Sequence, residues 1–163
     1  TATSADTSIN GRSYRKFSHK SGGTDYYNIT GNSYYQYRNT NGAGGLNIAI
    51  EDLYLKDNAN VGDNWSQSVN VDLGGGFTVP VTFTNSVLEK AISKTVNGIT
   101  YNNVYHLKTD ITVTGLPAGT VVSNIQNYYA PKVGLIEGSY SIQISSASIN
   151  INTTTKLKSS SLQ

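Results

Sequence analysis

The chain of 163 residues contains no cysteine. Disulfides, thiol catalysis and cysteine-held metals are therefore excluded, while the compartment is left open. Charge is scarce: Asp, Glu, Lys and Arg make up 13% of the chain, about half the usual share of roughly 25%. Net charge is only +2, far from the basic imbalance of a nucleic-acid binder, so no nucleic-acid partner is expected. The one basic cluster, Arg12, Arg15, Lys16, His19 and Lys20, reads as a solvated first strand. No apolar run approaches the roughly 18 residues of a membrane span. No signal peptide and no initiator Met are present. Thr1–Ser8 is small and polar and reads as a flexible tether of the kind that follows a lipid-modified Cys.

Asn, Thr, Ser, Gly and Tyr fill the place of charge, a balance common in exported and surface β proteins. The length suits one domain able to fold on a hydrophobic core. Side chains alternate apolar and polar from end to end. Trp65, Gln67, Val69, Val71 and Leu73 share a face, as do Phe77, Val79, Val81 and Phe83. Tyr105, Leu107, Thr109, Ile111 and Val113 form a third set, Tyr140, Ile142 and Ile144 a fourth, and Ile149 and Ile151 a fifth. Such alternation marks strands with one wet face, which antiparallel sheets tolerate. Turn signals separate the runs: Gly31-Asn32, Asn97-Gly98, and the looser Asn41–Gly45 and Gly115–Gly119. Asn-Gly supplies the two positive-φ positions of a type I′ hairpin. Ser86–Lys94 is the best helix candidate, yet Leu88, Ile92 and Val96 before Asn97-Gly98 fit a strand better. The predicted fold is all-β with at most one short helix, a single domain of about ten or eleven antiparallel strands in a curved sheet, half-barrel or open barrel. Residues 1–8 form the tether, 9–158 the β domain and 159–163 a frayed end.

No catalytic set emerges. His19 and His106 each lack a second His or a carboxylate at ligand spacing, so no metal site is expected, and each reads as an exposed polar strand residue. No Gly-x-Ser-x-Gly elbow exists. Glu51 and Asp52 are adjacent, so a strand would send them to opposite sides, unlike a glycosidase pair. Asp57, Asp63 and Asp72 miss the EF-hand pattern and read as turn residues. Gly74–Gly76 lacks the Lys-Ser or Lys-Thr of a phosphate cradle. No cofactor is expected. The surplus is in tyrosine, twelve in all. Tyr26, Tyr27, Tyr34, Tyr35 and Tyr37 gather in one hairpin, where cross-strand pairing stabilises a sheet. Tyr34, Tyr35 and Tyr37 are the candidate ligand-binding residues, as a platform for a sugar ring or an apolar ligand.

Two junctions remain, Val61-Gly62-Asp63-Asn64-Trp65 and Tyr128-Tyr129-Ala130-Pro131-Lys132-Val133-Gly134-Leu135-Ile136-Glu137. Gly62 can turn the chain into the strand that Trp65 begins. Gly134 suggests a bulge or close backbone approach, and Pro131 fits a turn or an edge. Together with Tyr34–Tyr37 and Asn97-Gly98-Ile99-Thr100-Tyr101-Asn102-Asn103-Val104-Tyr105, in this order, they resemble a family of uncharacterised β-rich lipoproteins of Gram-negative envelopes. The resemblance spans roughly residues 24–145, with Pro131-Lys132 where that family more often has Lys-Gly. It implies a half-barrel similar to the lipoprotein-localisation carrier and receptor, and no catalytic residues. The expected protein is a non-enzymatic, exported monomer, in the periplasm or at the outer membrane, touching the membrane only through a lipid anchor. Its expected partner is an apolar or amphipathic ligand, or an envelope protein, held on the curved sheet. A carbohydrate-binding module using the tyrosines and recognising a glycan is the alternative, and a structural or adhesive surface domain the third.

Overall fold

The computed structural model describes residues 2–18, 24–41, 47–72, 78–144 and 148–158. The fold is all-β, and the described residues contain eleven strands and no helix. The strands are β1 (Ala2–Ile9), β2 (Arg12–Ser18), β3 (Thr24–Thr30), β4 (Ser33–Asn41), β5 (Asn47–Lys56), β6 (Asn64–Asp72), β7 (Thr78–Val96), β8 (Ile99–Val113), β9 (Val121–Ala130), β10 (Gly134–Ile144) and β11 (Ile149–Lys156). They make two antiparallel sheets, ordered β1-β2-β3-β4-β5 and β11-β10-β9-β8-β7-β6, and neither closes into a barrel. Contacts divide the chain into two compact units, residues 1–58 with 69–80, and residues 59–68 with 81–163.

In both sheets, strands consecutive in sequence are neighbours. Turn chemistry explains why. Asn97 and Gly98 have φ of 49° and 82°, the two left-handed positions of a type I′ turn, and they join β7 to β8. Asn10 and Gly11 do the same with φ of 51° and 77°. This second turn corrects the tether expected over residues 1–8. It folds Ala2–Ile9 back so that β1 pairs with β2, and the Thr and Ser of that stretch are compatible with a strand. Ser86–Lys94 lies inside the 19-residue β7 and is strand, as its hairpin ending implied. Pro131 sits in the β9–β10 turn, and Gly134 opens β10 with φ of 91°. The register shifts between Leu135 and Glu137, next to that glycine.

The alternation is plainest in β6, where Trp65 and Val71 are buried while Ser66, Ser68 and Asn70 are exposed. In β7 the inward side changes midway. Positions 85 and 87 are buried, yet from residue 90 the even positions turn inward and end at buried Val96. Register shifts separate Val87, Glu89, Ile92 and Lys94 from one another. Ala91 and, near it on β8, Asn103 adopt φ of 58° and 56°. Each such irregularity reverses which parity faces which way, because side-chain direction repeats every two residues. One result is a buried cluster of Val96, Tyr101, Val104, Ala130 and Ile136, against which Ile92, Tyr128, Val133 and Leu157 pack. Val87, Leu107, Ile125 and Tyr129 are buried as well, on the opposite face by strand parity. Leu73, Phe77 and Gly74–Gly76, most of the Asn41–Gly45 loop, and residues 159–163 lie outside the described residues.

Candidate functional site

The five-stranded sheet gathers the tyrosines on both of its faces. Pairing sets Tyr26 opposite Tyr37 and Tyr37 opposite Glu51, with Tyr35 two residues away on the same face. There Tyr37 packs against Tyr14 and Tyr26 with ring centroids 6.3 and 6.0 Å apart. The Arg12 guanidinium lies 3.6 Å over the Tyr35 ring, within cation–π range. Tyr14, Arg12 and Asn10 all donate to the Glu51 carboxylate. Burial raises the Glu51 pKa, but those hydrogen bonds and the Arg12 charge outweigh it and hold the group below its ordinary value. Burial, reinforced by Glu51, pushes the Tyr14 hydroxyl up to about 12.

On the other face Tyr27 packs edge-on against Phe17 and Tyr54, and Tyr54 against Tyr34, at 5.4 to 6.3 Å. The Tyr34 hydroxyl donates to Asp57 at 2.8 Å. Arg38 donates to Gln36 at 2.6 Å, and Gln36 to the Tyr27 hydroxyl at 3.0 Å. Asp52 lies opposite Gln36, and burial raises its pKa despite the opposing charge of Arg38. Glu51 and Asp52 thus serve opposite faces. Tyr34, Tyr35 and Tyr37 are half-buried, and each has a ring contact or a cation from within this sheet.

The six-stranded sheet carries a different surface. Val81 pairs with Val113, and Phe83 with Ile111. Val121 pairs with Ile144, and Ile142 with both Ser123 and Ile151. Directly opposite residues share a face, and parity along β8 and β9 puts these pairs on one side. The side chains from Val81 to Ile144 are half-buried, and Ile151 is 47% exposed. A cavity of about 210 Å³ adjoins this band, lined by Ile111, Val113, Leu116, Pro117 and Val121 among others. Neither the band nor its register was legible from the individual strands. Each strand's alternation was visible, but not which strands lie side by side.

A polar centre occupies the opposite face. His106, expected to be exposed, is 7% exposed. β8 is covered on both sides here, since the adjacent Leu107 is 1% exposed. The ring stacks on Tyr128 at 4.1 Å. Its Nδ1 lies 2.6 Å from Glu89 Oε2, and Nε2 lies 2.9 Å from Gln126 Oε1. These partners come from β7 and β9, which no spacing along β8 could reveal. Lys94 Nζ lies 3.6 Å over the Tyr128 ring and 2.8 Å from Glu137, whose other oxygen is 3.5 Å from Lys156. Burial raises the Glu137 pKa, but Lys94 and Lys156 outweigh it and hold the group low. His19 lies outside the described residues. Asp63 accepts from the Asn60 amide at 2.9 Å and Asp57 accepts from Asn32 at 2.6 Å, both in loop-shaping roles. No family model, no curated protein and no solved structure matches this chain.

Proposed function

We propose that the chain is a non-catalytic cell-envelope protein that binds an apolar or amphipathic ligand across the aliphatic band of β7–β11. One observation carries this reading: Val81, Phe83, Ile111, Val113, Ile142 and Ile144 are half-buried on one face, and the band runs out to exposed Ile151. Covering such surface stabilises a complex by about 25 cal/mol per Å² of apolar area removed from water. The groups best suited to acid–base chemistry are engaged internally. Glu51 is held by Arg12, Tyr14 and Asn10, His106 by Glu89 and Gln126, and Glu137 by Lys94 and Lys156. The envelope address is supported by the low charge of the chain and by the family resemblance.

The test is saturable binding of a fluorescent fatty acid. The Phe83→Ser/Ile144→Ser variant should lose binding while its far-UV circular dichroism still reports an intact sheet. Tyr34→Ala, Tyr35→Ala and Tyr37→Ala should retain it. Unchanged binding in the band variant would overturn the proposal. Capture of a glycan that is lost in Tyr35→Ala would establish the carbohydrate module in its place.

A further inference from the structure

The margins of the two sheets differ in how they are guarded. β1 carries Asp6 and a register shift, β5 carries Glu51, Asp52 and Lys56, and β6 keeps Trp65 and Val71 buried. β11 has no acidic residue, no register shift and no buried side chain from Asn150 to Lys156. Its residues pair with β10 over eight consecutive positions, Ile149 opposite Ile144 through Lys156 opposite Glu137, without a shift. Every residue from Asn150 to Lys156 is exposed. A strand covered along its outer edge and one face would show alternating burial instead. The sequence Ile-Asn-Ile-Asn-Thr-Thr-Thr-Lys holds no Pro or Gly and one charge, at its end. Proteins ordinarily blunt a free edge with charges, prolines or bulges, because its unpaired backbone groups recruit another strand.

We propose that β11 pairs antiparallel with β11 of a second copy, joining two six-stranded sheets about a twofold axis. A twofold interface must be self-complementary, and β11 meets that demand. A twofold axis keeps each side chain on its own face, so only residues of like parity can lie opposite one another. One such register pairs Asn150 through Lys156, setting Thr153 opposite itself, Asn152 opposite Thr154, Ile151 opposite Thr155 and Asn150 opposite Lys156. Thr–Thr pairs hydrogen-bond across strands, and Ile151 gains a cover it lacks in the single copy. The two Lys156 ammonium groups fall at opposite ends of the paired strands, roughly 20 Å apart at about 3.4 Å per residue. That is well beyond a Debye length of about 8 Å. Nothing in the register sets like charges face to face, which is why a second copy suits this edge. The proposal is independent of the ligand reading, and it departs from the monomer expected from the sequence.

The test is the mass of the full chain by sedimentation equilibrium across a dilution series. The wild type should shift from 17.5 kDa to twice that mass as concentration rises. Asn152→Lys/Thr154→Lys sets lysine against lysine and should remain monomeric. Asn152→Glu/Thr154→Lys sets opposite charges together and should dimerise at least as well as the wild type. Because the chain has no cysteine, a mixture of Asn152→Cys and Thr154→Cys chains should form one disulfide-linked pair under mild oxidation. This gives a readout even where a charge variant folds poorly. A wild type that stays monomeric throughout, a double-lysine variant that dimerises unchanged, or a mixture that fails to crosslink would each overturn the proposal.

Discussion

The two sheets solve the same problem with different side chains. Among the described residues, the six largest fully buried side chains are Tyr14, Leu107, Ile136, Val87, Val96 and Val104. Only Tyr14 belongs to the five-stranded sheet. That sheet holds seven of the twelve tyrosines, at 14, 26, 27, 34, 35, 37 and 54. A tyrosine ring buries a large apolar area but brings a hydroxyl that must be hydrogen-bonded or wet. The polar partners therefore follow the rings: Glu51 under Tyr14, Asp57 at Tyr34 and Gln36 at Tyr27. The six-stranded sheet buries mostly aliphatics, which ask for no partner, and gathers its charged groups in the chain from Glu89 through His106 and Tyr128 to Lys94 and Glu137, while buried Asn85 and Asn127 accept from Thr109 and Tyr140 on the other face. Aromatic sheets are thus tied to charge, and aliphatic sheets are tied to close packing.

The comparison breaks most visibly at Trp65, the single Trp, which is 8% exposed on β6. Trp65→Ala should destabilise the protein by about 3–5 kcal/mol, the usual cost of deleting a buried indole. Urea denaturation measures it, and a loss below the range of ordinary surface substitutions would show that β6 does not contribute to the core. Next come the engaged carboxylates, one in each sheet. Glu51→Gln and Glu137→Gln should each cost about 1.5–3 kcal/mol at neutral pH, the range for hydrogen bonds to a charged group. Both carboxylates have folded pKa values held below the ordinary one. Their stabilisation is present above the unfolded value of about 4.3 and fades as pH falls through the lowered folded value. Melting curves of wild type and variants should therefore converge in acid.

Asp52 sharpens the contrast within one strand, because its sign is opposite. Burial raises its folded pKa, so ionisation opposes the fold once pH climbs above the unfolded value. The destabilisation is complete above the raised folded value. Asp52→Asn should raise Tm at neutral pH and lose that advantage in acid. A lower Tm at neutral pH would mean that the charged form is stabilised in the fold. The smallest effect belongs to Ala91, held at φ of 58° where β7 changes face. A left-handed conformation costs a non-glycine residue about 1–2 kcal/mol, and the extra backbone freedom of glycine offsets about half of any relief. Ala91→Gly should thus gain up to about 1 kcal/mol in urea denaturation.

Much of this was legible one strand at a time. The alternation at Trp65–Val71, the Asn97-Gly98 turn and the division of Glu51 from Asp52 are local, because a strand sends neighbours to opposite sides. Asn10-Gly11 is the same dipeptide, yet residues 1–8 read as a tether, and only the structure paired β1 with β2. Phe83, Ile111, Ile142 and Ile151 each stood in an apolar set, but the band they form was not legible, because it depends on which strands lie side by side. His106 was not legible, because its partners Glu89, Gln126 and Tyr128 lie 17, 20 and 22 positions away along the chain.

By itself the sequence determined an all-β chain of antiparallel neighbours. Side-chain parity and turn dipeptides act within a few residues, where backbone sterics decide. Only the tertiary structure decided that eleven strands divide into sheets of five and six, that β7 changes its inward face at Ala91, and that His106 is enclosed. Those outcomes depend on which strands lie side by side and where an extra residue interrupts the ladder. They are long-range packing choices that no local pattern encodes.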